Sequence, residues 1–399
     1  MSRNEREFYK MDRRDFIRTG IAGLSSLALT RLTFARSTPR EIVIVGGGLS
    51  GLVSAYELKR LGHKVTILEA QKRAGGRVLT LRDFEGGQWA DAGAARIPED
   101  HDLTHRYVKE FALDLIPFYP TTGKFSRLRQ GKVERTDWKG FAEATSGVMD
   151  IENPAHWQKI KGGNDLLPKA FADRLKDHIH YEAAVKKVEQ KDGSVTISFS
   201  KGGKPQTITA DLAICAIPLT MLRNIEFAPA LSDAKSRIIE KASYDSASRI
   251  FVQTKTRFWE NDGANGFGFG PRQDEVWDAS FGETGKHGIL ESYSRYDFSR
   301  EVTAQTEAER IETTLKSFEK LFPAVRSQQI RTHGKCWSED PWIKGAWAHL
   351  GPVEMLTLAK PEGQVYLAGE HMSFHPSWMQ GALQSGLYVV DQISKLPVA

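Results

Sequence analysis

Cysteine is nearly missing: 399 residues contain two, Cys215 and Cys336. Neither belongs to a CxxC pair or a Cys/His ligand spacing, which argues against a structural zinc site, while a disulfide between them stays open. Cys215 falls in the run ADLAICAIP and reads as a small core residue of a buried strand. Long apolar runs are missing too. The most apolar N-terminal stretch is too short, and too rich in glycine and serine, to span a bilayer. Neither sign of charge dominates. The net charge is +5, and seven Lys/Arg against four Asp/Glu in residues 1–35 account for most of it. No basic block interleaved with aromatics occurs, so nucleic acid is not an expected partner. Repeats and low-complexity tracts are absent as well. What remains, 40% apolar and 26% charged residues, describes a soluble globular chain. Its length exceeds one hydrophobic core and calls for two domains or one composite domain.

Residues 11–35, MDRRDFIRTGIAGLSSLALTRLTFA, set two adjacent arginines before Phe16 and a weakly apolar run. This resembles a twin-arginine export signal, with a small-x-small cleavage site at Thr33-Phe34-Ala35 and a mature chain starting near Arg36. Such signals hand folded proteins, often with a cofactor already bound, to the export machinery. The expectation is a periplasmic or secreted protein with no stable membrane anchor after cleavage. A cytoplasmic protein with a basic amphipathic arm is the alternative.

From Glu41 the chain reads EIVIVGGGLSGLVSAYELKRLGHKVTILEA. EIVIV is a continuous apolar strand of the doubly buried parallel type. Gly46, Gly48 and Gly51 follow in the G-x-G-x-x-G pattern and open a helix expected over Leu52–Leu61, after which KVTILEA forms the next parallel strand. Gly46 permits the tight turn, Gly48 lets a pyrophosphate approach the backbone, and Gly51 lets helix and strand pack closely. The helix N-terminus then receives the pyrophosphate. Glu69 ends the second strand, where a carboxylate can hold ribose hydroxyls and disfavours a 2′-phosphate. The whole reads as an adenine-dinucleotide site.

The continuation RAGGRVLT, Arg73 to Thr80, resembles the R-x-G-G-R segment of the flavin-containing amine oxidase family. The closing stretch GQVYLAGEHMSFHPSWMQGALQSGLYVVDQI resembles the family's C-terminal flavin motif of strand, Ala-Gly-Glu, loop and helix. The resemblance implies FAD. It places Leu49, Ser50, Gly51, Ala70, Gly76, Ala94 and Ala95 along the cofactor, Arg77 near phosphate or ribityl oxygens, and Val185 beside the adenine. Gly369 and Glu370 would contact the ribityl-phosphate, and the Met379 amide would face the flavin pyrimidine oxygens with Trp378 alongside. Monoamine oxidases carry a cysteine in this loop that bonds the flavin; HPSWMQG has none, so non-covalent FAD is expected. The implied fold is α/β: a Rossmann-like FAD-binding domain, parallel sheet with helices, interleaved with a substrate domain of mixed β-sheet flanked by helices. Residues 36–77, 162–247 and 360–399 would form the FAD domain, and 78–161 with 248–359 the substrate domain. Within the family the chain is closest to the L-amino-acid oxidase branch. It departs by leaving only a short stretch between YVKEFALDL and IKGGNDLLP, where many members insert a helical subdomain.

GAARIPEDHDLTHRYVKEFALDL resembles the L-amino-acid oxidase segment that places its arginine, here Arg96, over the flavin to grip the substrate carboxylate. A guanidinium fork suits that task. Small residues ahead of Arg96 read as clearance for the flavin ring, and Pro98 as the end of the strand that delivers it. Tyr293 matches the tyrosine that also binds the carboxylate, Trp378 the tryptophan beside the substrate, and Ser377 the position whose carbonyl receives the amine. Trp347 falls where the family has a pocket wall. Where flavin amine oxidases usually carry a lysine that holds a water, this chain has Arg249, which can orient a water or stabilise peroxide but cannot be a base. Lys255 and His375 are weaker candidates for chemistry.

The resemblance implies oxidative deamination of an L-amino acid: hydride transfer to the flavin gives the imino acid, oxygen returns hydrogen peroxide, and water yields the 2-oxo acid and ammonia. Small-molecule substrate and O2 would be the partners, with oligomeric state open, a homodimer included. Two alternatives stand beside it. One is a monoamine or polyamine oxidase whose substrates lack the carboxylate. The other is a flavin-binding protein that passes electrons to an acceptor other than oxygen.

Overall fold

The computed structural model describes residues 38–145, 156–272 and 274–397. The export-signal reading of residues 1–35, with its cleavage site, lies outside them.

EIVIV becomes strand β1, Glu41–Val45, buried at every position after the first. Parallel neighbours on both sides explain why no alternation of polar residues is needed. β2, Lys64–Leu68, pairs along one edge and Leu212–Cys215 along the other, giving a five-stranded parallel sheet completed by Ile179–His180 and Val365–Leu367. Helix α1, Leu49–Arg60, connects β1 to β2 and buries Leu52, Ala55 and Leu58 against Leu383, Leu387 and Val390 of the C-terminal helix. It starts three residues before the expected Leu52, so Gly51 lies inside its first turn. A four-stranded sheet of Ala183–Lys191, Ser194–Lys201, Lys204–Ala210 and Glu226–Ala228 flanks the strand Leu212–Cys215. Cys215 and Cys336 are both buried and unpaired, so the disulfide that the sequence left open does not form.

The second large sheet is mixed and seven-stranded. Short strand β3, Ile97–Pro98, lies outside it and pairs with Trp157–Ile160. Within the large sheet run β4, Ala247–Thr254, then β5, Glu275–Asp278, and β6, Gly288–Arg295, with β6 between β4 and β5. β4 and β5 are buried throughout, and β6 at all but its last residue. One face packs on the helix Glu307–Leu321 through Val252, Leu290, Leu315 and Phe318. The other joins an aromatic cluster that includes Phe118, Tyr119, Trp277, Tyr293 and Trp337. Arg249, Glu275 and Glu291 are carried inside on these strands, and buried charges demand partners. Helix α2, Tyr296–Thr303, follows β6 directly, and helix α3, Met379–Ser394, closes the chain.

Candidate active site

A cavity of 1990 Å3 runs from the N-terminus of α1, past the loop before α3, to the faces of β4 and β6. At the α1 end, β1 turns sharply. Gly46 has φ +106°, and a side chain there would meet the Ala216 carbonyl at 2.8 Å. Gly48 caps α1 with extended backbone and no side-chain hydrogen bond. A Cβ on Gly48 would find nothing within 4 Å, so the helix N-terminus faces open cavity. Gly46, Gly48, Leu49 and Ser50 line it. Gly51 does not, and its assignment as a cofactor contact is corrected: a Cβ there would sit 2.1 Å from the Gly46 carbonyl, so this glycine serves helix–strand packing.

Glu69 accepts hydrogen bonds from the Gly47 amide and the Gln71 amide, each at 2.7 Å. Burial pushes its carboxyl up while the two amides pull it down. Glu69, Ala70, Gly76, Arg77 and Val185 all line the cavity. Arg73, which the sequence reading gave no task, ties the glycine loop together by donating to the Ala74, Gly76 and Val78 carbonyls.

Arg77 donates from Nη1 to the Ala346 carbonyl at 2.6 Å and to Glu370 Oε1 at 2.8 Å. The other Glu370 oxygen accepts from the Ser377 amide at 2.8 Å. Burial pushes the Glu370 carboxyl up, but Arg77, His371 and the Ser377 amide together outweigh it and hold it below the usual range. Both oxygens of Glu370 are therefore engaged within the protein, although the residue lines the cavity with Gly369. Its work is to hold Arg77 and the loop before α3. In that loop Ser377 adopts φ +74°, a left-handed conformation uncommon outside glycine. Ser377, Trp378 and Met379 line the cavity, Trp378 with its ring 4.9 Å from that of His101.

His371 went unnoticed in the sequence, although it adjoins Glu370. It is 2% exposed, lines the cavity, and its Nδ1 has no hydrogen-bond partner among the described residues. Burial lowers it to about 4, so the ring is neutral. The bare helix N-terminus at Gly48, the braced carboxylate of Glu69 and this orphaned nitrogen lie along one cavity and fit an adenine dinucleotide with a flavin end.

At the far end Ala94, Ala95 and Arg96 line the cavity. Gly93 clears a different obstacle from the one expected: its Cβ would lie 2.0 Å from the Arg77 carbonyl, so its smallness serves backbone packing. Arg96 enters just before β3 and is 8% exposed. Its Nη1 donates to the Tyr119 hydroxyl at 3.0 Å and to Glu275 Oε2 at 3.1 Å. Glu275 also accepts from Trp277 Nε1 at 3.0 Å. Arg96 is a buried cation on a cavity wall, already touching one carboxylate.

Tyr293 lies opposite Arg249 in the sheet, with the Arg249 guanidinium carbon 4.3 Å from its ring centre. Arg249 donates to the Asp91 carbonyl at 3.3 Å and is ion-paired with Glu291. Tyr293, Arg249, Trp347 and His375 line the cavity. Lys255 does not; its ammonium donates to the Ser327 carbonyl at an exposed site. The sequence-derived residues thus converge on one cavity, Gly51 and Lys255 excepted.

A family profile described as flavin containing amine oxidoreductase matches residues 49–159 and 139–394. YobN of Bacillus subtilis (strain 168), provisionally named an L-amino-acid oxidase, is 31% identical over 91% of this chain and 96% of its own. The flavin-dependent L-tryptophan oxidase RebO of Lentzea aerocolonigenes is 26% identical over 89% of this chain and 98% of its own. Among solved structures, cyclohexylamine oxidase from Brevibacterium oxydans IH-35A superposes with a TM-score of 0.77 at 19% identity, covering 90% of this chain and 99% of its own. Wild-type putrescine oxidase bound to putrescine superposes at 0.75 and 19% identity, covering 89% and 99%. At such identities the last two speak for the fold.

Proposed function

The chain belongs to the flavin-containing amine oxidoreductases, an oxidoreductase family that uses FAD, and we propose that its substrate is an L-amino acid, oxidised at the carbon that bears the amine. The two-electron oxidation of that carbon, and the return of the electrons to oxygen as peroxide, is the chemistry that bound FAD supplies. Gly46, Gly48 and α1 would hold its pyrophosphate, Glu69 its ribose, and the loop around Glu370, His371 and Met379 its flavin end.

The observation that carries the amino-acid reading is Arg96. A buried guanidinium on the cavity wall, with Nε and Nη2 lacking a protein acceptor among the described residues, suits a carboxylate beside the reacting carbon. Tyr293 stands on the same wall to offer a hydroxyl, and Ser377, fixed through its amide by Glu370, offers a carbonyl to the amine. Arg249, paired with Glu291, stays a cation and can orient but not accept a proton. Holding the carboxylate and amine at fixed points is positioning catalysis, with a ceiling on the order of 7–11 kcal/mol.

A second reading has one observation in its favour. Glu275 already occupies Arg96, as it would in an oxidase of amines that lack a carboxylate. Arg96→Met separates the two. On the amino-acid reading it raises KM for amino acids about 100-fold, the loss of a charge-assisted pair, and leaves flavin content intact. A KM within about threefold of the parent contradicts that reading and favours the amine oxidase.

A further inference from the structure

The wall that carries Arg96 holds a second guanidinium. Arg295 ends β6 two residues after Tyr293, so the period of a strand puts both side chains on one face. Its guanidinium carbon lies 5.2 Å from the Tyr293 ring centre, and its Nη2 lies 2.8 Å from Glu275 Oε1. Arg96 Nη1 meets the other oxygen of the same carboxylate at 3.1 Å. Arg96, Tyr293 and Arg295 line the cavity, while Glu275 stands behind them, 1% exposed.

One carboxylate thus draws two guanidiniums to a single place and balances only one of them. The other groups on Glu275 and Arg96, the Trp277 indole and the Tyr119 hydroxyl, carry no charge. The neighbouring Arg249 has a separate partner in Glu291. Counted by charge, Arg96 alone balances Glu275, so Arg295 brings a positive charge in excess of that acid. Arg295 is half-buried, and a cation held there without an anion of its own is unfavourable; an anion entering the cavity beside the two arginines relieves it. We propose that Arg295 binds the substrate carboxylate together with Arg96, so that the carboxylate is held by two guanidiniums rather than one.

This rests on the amino-acid reading above, and the test keeps the two apart. The FAD-loaded protein is compared with its Arg295→Met and Arg295→Lys variants in two measurements. One is KM and kcat for an L-amino acid that the parent oxidises. The other is the Kd of benzoate, a simple carboxylate, read from the change it causes in flavin absorbance without turnover. Arg295→Met is expected to raise both KM and the benzoate Kd at least about tenfold, with kcat falling less than KM rises. Arg295→Lys, which keeps the charge and guards against a folding artefact, recovers part of the benzoate affinity. Values for Arg295→Met within about twofold of the parent overturn the proposal while leaving the amino-acid reading standing. A flavin-loaded parent that oxidises amines but no L-amino acid sinks that reading instead.

Discussion

Glu275 and Glu291 sit on adjacent strands, 1% and 2% exposed, and titrate in opposite directions. Burial pushes both up. At Glu275 two arginines and an indole donor overcome it and hold the carboxyl below the usual range. At Glu291 the single partner Arg249 does not, and the carboxyl rises to about 7. The folded protein therefore binds the Glu291 proton more firmly than the unfolded chain does. Its contribution to stability is complete below the ordinary glutamate range and is lost as pH rises through about 7. Replacing Glu291 by Gln should remove that component, flattening the decline in unfolding free energy between pH 5 and 7 by on the order of 3 kcal/mol in denaturant titrations. An unchanged slope would show that Glu291 is ionised throughout. These pairings were invisible in the sequence because they join distant positions: Arg96 and Glu275 are 179 residues apart. The small-residue run before Arg96 marked close packing, but neither the direction of the side chain nor its internal partner could be read from it.

At the scale of the element, the unit β1–α1–β2 was legible almost completely, since its signals are local. An apolar strand, glycines at fixed offsets and a helical period lie within thirty residues, and only the helix start moved, from Leu52 to Leu49. The two glycines of its turn make separable predictions. A methyl on Gly51 would lie 2.1 Å from the Gly46 carbonyl, whereas one on Gly48 meets nothing within 4 Å. Gly51→Ala should therefore destabilise the FAD-free protein by about 1–3 kcal/mol, as overpacking does, and lose FAD as α1 is displaced. Gly48→Ala should leave the FAD-free protein as stable as the parent and weaken FAD binding alone. Thermal melts of the FAD-free proteins and FAD titrations check both. Equal destabilisation by the two variants would mean that the Gly48 face is not open to a ligand. β5 was the element hardest to anticipate, because its Glu275 and Asp278 are charged residues in a buried strand and a polar pattern argues against burial until the partners are known.

For the whole molecule, the interleaving of two sheets was legible only through resemblance. Strands of the parallel sheet come from residues 41–45, 64–68, 179–180, 212–215 and 365–367, and no local pattern announces that they meet. What the assembled fold adds is a cavity that joins a dinucleotide cradle to a wall with more arginine than acid. On the proposed amino-acid reading this wall sets specificity: it would take a carboxylate beside the amine, and a substrate lacking one would leave positive charge unanswered. The most direct measurement pairs each of a panel of L-amino acids with the amine formed by removing its carboxylate, and follows hydrogen peroxide release by the FAD-loaded protein. If Arg96 grips a substrate carboxylate, kcat/KM for at least one amino acid should lie about 100-fold above that of its amine; equal or faster oxidation of the amines across the panel would sink the amino-acid reading.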